Sequence, residues 1–117
     1  MEFIDLLKNL NVDIDTLLRR FSGNEALTKR FLLKFPDDKT YEGLKEGVDN
    51  GDNATVLAKA HALKGIALNL GLDNLGNQSS DLVEYLRAGQ VEDVRSMFTG
   101  ITKEYNRVIE LINDFNR

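Results

Sequence analysis

An all-α fold is predicted: an antiparallel four-helix bundle, up-down-up-down, with short additional helices at its N-terminal end. Apolar residues recur at the spacing of a helix face along the whole chain, and β-branched residues are scattered, never alternating as a half-buried strand requires. Only one proline, Pro36, interrupts the 117 residues. The last three helical stretches are joined by connections of a few residues, so each must turn back along its predecessor.

The first amphipathic stretch holds Phe3, Leu6, Leu7 and Leu10 on one face. A second begins near Asp13, carries Ile14, Leu17, Leu18 and Phe21, and stops at Ser22-Gly23, a common helix ending. Asn24 is placed to cap the third, in which Leu27, Phe31, Leu32 and Phe35 share a face. Pro36 then forces a break or kink, because proline lacks the N–H and clashes with the preceding turn. Helix resumes near Asp38 with Tyr41, Leu44 and Val48 and ends at Asn50-Gly51-Asp52. Asn53 opens a central helix that runs to about Leu70 and halts at Gly71. Its partner spans Asp73 to Ala88 and is closed by Gly89-Gln90. A last long helix carries Val94, Phe98, Ile101, Tyr105, Val108, Ile109 and Ile112. Together these make one domain, 1–117, with accessory helices over about 1–22 and the bundle over about 24–115.

A hydrophobic fraction of 42% with 29% charged residues is that of an ordinary globular chain, which argues against disorder. Fifteen Lys and Arg against nineteen Asp and Glu give a net charge of −4, and no basic run is dense enough to neutralise a phosphate backbone, so no nucleic-acid partner is expected. The absence of cysteine removes disulfides, thiolate metal sites and thiol nucleophiles together. No stretch reaches the roughly 18 apolar residues of a membrane helix. The first residues, Met1-Glu2-Phe3-Ile4-Asp5, carry acid where a secretory leader carries base, so a cytoplasmic protein without membrane attachment is expected. With one histidine, no metal site is expected. The carboxylate pairs Asp37-Asp38, Glu92-Asp93 and Asp13/Asp15 suit helix starts better than acid–base catalysis. Tyr41, Tyr85 and Tyr105 are expected in the core or at its boundary.

Chemistry concentrates in Asn53 to Gly71, NATVLAKAHALKGIALNLG. Val56, Ala60, Leu63, Ala67 and Leu70 form one buried stripe at about 100° per residue. His61 then lies roughly 140° from the centre of that stripe, facing water, with Gly65 near the opposite pole and Lys64 at its flank. Leu57 and Leu68 fall in the same sector, so exposed or half-exposed leucine brackets the histidine, as on a docking surface. Imidazole is the side chain whose free base is available near neutral pH, and it is a nucleophile. A phosphoryl group taken up on it carries about two negative charges, which a cation one turn on, Lys64, can neutralise. Gly65 costs about 1 kcal/mol of helix propensity relative to Ala, which a close-approaching partner would explain. The plainer alternatives are a surface histidine without a role, a lysine on a solvated face, and a glycine that permits a tight helix crossing.

The run His61-Ala62-Leu63-Lys64-Gly65-Ile66-Ala67-Leu68-Asn69-Leu70-Gly71 resembles the signature of histidine-containing phosphotransfer (HPt) domains, H-x-L-K-G-x-A followed by a helix-ending glycine. Leu44 to Asp52 and Ala60 are similar to the family as well, and the resemblance covers roughly Asn24 to Leu86. It implies a four-helix bundle with His61 phosphorylated through Nε2, Lys64 as the cation beside the phosphoryl group, and Gly65 keeping the surface open. Leu57, Ala58, Ala62 and Leu68 would form the binding surface. Asn77 and Ser80 on the next helix are candidates to approach the imidazole and hold its orientation. The sequence departs from many members in the Asp73 to Ser80 segment, where alanine and a more apolar face are usual. It departs again at Pro36, within what is often one longer helix.

The resemblance implies a phosphorelay carrier rather than an enzyme: no nucleotide loop, independent catalytic domain or cofactor of its own. Its partners would be receiver domains of response regulators or hybrid sensor histidine kinases, which supply the Mg²⁺ and the acid cluster. A monomer is expected, because the face of His61 must stay free. The alternative, from a different class, is a phosphorylation-independent helical adaptor that docks receiver or kinase domains.

Overall fold

The computed structural model describes all residues, Met1–Arg117, and is helical throughout. Helices α1 (Phe3–Asn9), α2 (Ile14–Arg20) and α3 (Glu25–Leu33) are followed by a 3₁₀ turn at Phe35–Asp37, then by α4 (Thr40–Asp49), α5 (Asn53–Asn69), α6 (Asp73–Arg87) and α7 (Val94–Asn116). No helix is long and apolar enough to cross a membrane.

Local chemistry sets the boundaries. Asp13 Oδ1 accepts from the Thr16 amide at the start of α2, and Asn24 Oδ1 accepts from the Leu27 amide at the start of α3. Pro36 sits in the 3₁₀ turn, and the helical course resumes only at Thr40, whose amide donates to Asp38 Oδ1. Gly51 and Gly71 take positive φ where α4 and α5 end, a conformation that side chains with a Cβ avoid.

Pairwise contacts fix the helix directions. Along α4 and α5, Gly47 faces Val56 and Gly43 faces Lys59, so one number rises as the other falls and the two run antiparallel. Leu68 of α5 lies over Gly76 of α6 across the turn at Gly71. Helix α7 returns along α4: Arg95 reaches the Val48 carbonyl, and Tyr41 stacks on Phe98 and hydrogen-bonds Thr102. This is the up-down-up-down bundle.

Its core contains Leu44, Val56, Leu63, Leu75, Leu82 and Ile101, all fully buried. The stripe Val56, Ala60, Leu63, Ala67 and Leu70 is buried as expected. Tyr41 is buried, and Tyr85 and Tyr105 sit at the boundary. The short helices close one end of the bundle. Val12 packs on Gly71, Phe3 meets Phe115 edge to face, and Arg107 donates to the Asn9 carbonyl. Phe31 departs from expectation. Leu32 and Phe35 are buried and Leu27 half-buried, whereas Phe31 is 50% exposed and lies against Phe21. Helical spacing put all four on one face, but the end of the bundle covers only part of it.

Candidate functional site

Helix α5 presents the site. Its start is held by Asp52, whose Oδ1 accepts from the Thr55 amide and whose Oδ2 accepts from the Thr55 hydroxyl at 2.7 Å. Those bonds hold the Asp52 carboxyl below the usual carboxylate range, the Thr55 hydroxyl contributing most. Its far end is held by Arg20 of α2, which donates to the Leu68 carbonyl in the last turn of α5, an oxygen that also accepts from the Gly71 amide. Between these clamps the helix carries Lys59, His61 and Lys64 and not one acidic residue.

His61 is exposed, and neither ring nitrogen is hydrogen-bonded or ion-paired within the chain. Lys64, one turn on, is half-exposed and has no carboxylate within 4.0 Å, so its charge is uncompensated. Gly65 is exposed, and a Cβ built there meets nothing within 4 Å. The other glycines inside α4 and α6 have close neighbours: a Cβ would come within 2.9 Å of Lys59 at Gly43, 3.1 Å of Val56 at Gly47 and 2.5 Å of Leu68 at Gly76. Tight helix crossing therefore explains Gly47 and Gly76, and at Gly43 only a mobile lysine side chain would have to shift, whereas Gly65 has no neighbour at all and its helix cost of about 1 kcal/mol has no cause inside the molecule.

The remaining predicted residues divide. Ala58 and Ala62 are exposed beside His61, while Leu57 and Leu68 are half-buried. Leu57 packs against the core, and Leu68 gives part of its side chain to the α5–α6 interface over Gly76. Asn77 and Ser80 form no hydrogen bond to His61. In an antiparallel pair the Leu68–Gly76 contact puts Asn77 level with Ala67 and Ser80 level with Lys64. His61 is level instead with Val83, which is buried. No group of three His, Cys, Asp or Glu side chains converges anywhere to hold a metal. Of the carboxylate pairs, Asp13 caps α2, Asp38 accepts from the Thr40 amide, and Glu92 accepts from the Tyr85 hydroxyl and the Val91 amide.

Sequence reasoning missed one feature beside the site. A groove of about 330 Å³ opens between α5 and the 3₁₀ region, lined by Phe21, Phe31, Phe35, Ile66 and Leu70, with Lys34 exposed at its edge. Its sequence signal was faint: Phe21 and Phe31 lie on different helices and meet only after folding. The arrangement as a whole offers an unengaged nucleophile, a free cation one turn away, and a bare helix surface for a partner.

Comparison with known families adds one match: the Hpt domain model covers residues 25–111, most of the chain. Searches of curated proteins and of solved structures return no match.

Proposed function

Because this chain belongs to the Hpt domain family, with its role of histidine phosphotransfer in two-component signalling, we propose that it is a phosphocarrier working between receiver domains. His61 accepts a phosphoryl group from the phosphorylated aspartate of one receiver and passes it to the aspartate of another. The unprotonated Nε2 attacks phosphorus with its lone pair. The new P–N bond forms as the P–O bond to the aspartyl carboxyl breaks, and the carboxylate leaves with the electron pair. The Nδ1 proton stays on the ring, and the second transfer is the same step in reverse. Lys64 offsets the charge of the phosphoryl group on His61. Mg²⁺ and the acid cluster belong to the receiver; this chain brings no donor set together for an ion. It acts as a cytoplasmic monomer with no turnover of its own.

The observation that carries this reading is Gly65: an exposed mid-helix glycine with empty space around it, one turn from an unengaged His61. An intermolecular approach accounts for it where intramolecular packing does not. The test is transfer from a panel of phosphorylated receiver domains to the purified protein, with His61→Gln alongside. Label appearing on the wild type as an acid-labile, base-stable adduct, and absent from His61→Gln, is expected. A receiver that binds but never donates would replace the carrier with the adaptor.

A further inference from the structure

We propose that the protein has a second contact surface, a groove between α6 and α7 that takes the guanidinium of an arginine carried on the surface of a partner protein. The inference does not depend on the chemistry of His61.

Position comes first. The groove has a volume of about 210 Å³ and is lined by Gln78 and Asp81 of α6 and by Ser96, Met97 and Gly100 of α7. Two contacts set the register of these helices. A Cβ built at Gly100 would meet Gln78 Nε2 at 3.8 Å, and the Asp93 amide donates to the Tyr85 hydroxyl at 2.9 Å. In this antiparallel register Asp81 lies level with Met97. Gly76 faces α5 at Leu68, whereas Gln78, two residues on and about 200° around the helix, faces α7. The groove therefore lies on the flank of α6 turned away from α5, and a partner seated there leaves His61 uncovered.

The chemistry is that of acceptors without donors. Asp81 is exposed and has no basic group within 4.0 Å. Gln78 Oε1 is the one buried side-chain polar atom of the protein without a hydrogen-bond partner. Such an orphaned acceptor costs stability until a donor reaches it. Gly100, half-exposed inside α7, has no neighbour but Gln78 within 4 Å, so internal packing does not require a glycine and the helix surface there is bare.

Among side chains, arginine matches this set. Its planar fork carries donors and no acceptor, and can serve the Asp81 carboxylate through two parallel bonds while a further N–H turns to Gln78 Oε1. Its apolar stem has Met97 and the bare helix at Gly100 to lie on. Asp81 and Ser96 are both exposed, so the groove is too shallow to enclose a free small molecule. The remaining contact area must come from the protein that carries the arginine.

The test is an NMR titration of the isotope-labelled full chain with three probes: N-acetyl-arginine amide, its lysine counterpart, and a short alanine-rich helical peptide bearing one arginine. The arginine amide should give saturable shifts at the Gln78 side-chain amide, the Met97 methyl and the Gly100 amide, and bind at least about threefold tighter than the lysine amide. The peptide should bind at least about tenfold tighter than the arginine amide, because it adds contact area. Asp81→Asn should weaken binding of the peptide at least about tenfold and Gln78→Leu about threefold, with circular dichroism verifying the fold of both. Phosphoramidate labelling of His61 should proceed unchanged in Asp81→Asn; a slower reaction would tie the groove to the histidine and overturn its independence. Shifts that do not saturate, that survive Asp81→Asn, or that the lysine amide reproduces equally overturn the site. A peptide no tighter than the free amide overturns docking to a protein and gives the groove to a small guanidino compound. Self-association abolished by Asp81→Asn gives it to a second copy and likewise overturns the assignment.

Discussion

Gly65 separates function from stability within one side chain. Because a Cβ there meets nothing within 4 Å, Gly65→Ala should stabilise α5 by about 1 kcal/mol and raise the melting temperature by roughly 4 °C, while slowing transfer from a receiver. Gly76→Ala should do the reverse to stability, since its Cβ would press to 2.5 Å of Leu68. Thermal melts of both variants beside transfer rates decide the matter; a destabilised Gly65→Ala would mean the glycine is structural. Lys64→Ala should slow transfer about tenfold, equivalent to about 1.4 kcal/mol, with the melt unmoved, because its ammonium makes no contact that supports the fold. The positions of His61, Lys64 and Gly65 were legible in the sequence because all three sit on one helix, where periodicity alone fixes direction. Asn77 and Ser80 were not, because their height relative to His61 depends on the register between two helices. That register is set by the Leu68–Gly76 contact, which no single-helix pattern encodes.

Helix α5 depends on its ends, and its N-terminal end is sensitive to acid. The Thr55 hydroxyl and amide hold the Asp52 carboxyl below its ordinary range, and the Thr16 amide does the same for Asp13 on α2. The folded state thus favours the ionised form. What these caps contribute is fully present above the unfolded pKa of about 3.9 and is lost as pH falls through the lowered folded value. The Asp52→Asn variant keeps a cap without the titrating charge. Its first-turn amides, Asn53 to Thr55, should therefore exchange with a weaker pH dependence as pH falls below about 4 than those of the wild type. Identical profiles would show that Asp52 does not govern the start of α5. Helix existence was legible throughout because the apolar spacing repeats. The cap at Asp52 escaped notice because Asn53, the next residue, is an equally good capping type, and only the backbone geometry distinguishes them. Phe31 was misplaced for a related reason: periodicity names a face but not how much of it a neighbour covers.

At the scale of the whole molecule, the family match begins at residue 25, whereas the folded protein does not stop needing its chain there. Phe3, Leu6, Leu7, Leu10, Val12 and Leu17, all buried, come from the first 22 residues. They cover groups that belong to the bundle, Phe3 lying on Phe115 and Val12 on Gly71, while Arg20 of the same segment donates to the Leu68 carbonyl of α5. Lys29 stands over the rings of both Phe3 and Phe115, drawing α3 into the same cluster. Losing one buried large apolar side chain costs about 2–5 kcal/mol, against a total stability of about 5–15 kcal/mol for an ordinary domain. A protein shortened to residues 24–117 should therefore melt at least roughly 10 °C lower, or lose its cooperative transition, even though His61, Lys64 and Gly65 are all retained. Receiver transfer should fall further than the melt alone implies, because Arg20 no longer holds the end of α5. Phosphoramidate labelling of His61, measured below the melting temperature, should survive, since the nucleophile itself needs none of those residues. If the shortened protein instead melts with the full chain and takes phosphate from receivers at the same rate, the N-terminal helices are ornament to this bundle, and recognition lies wholly on α5.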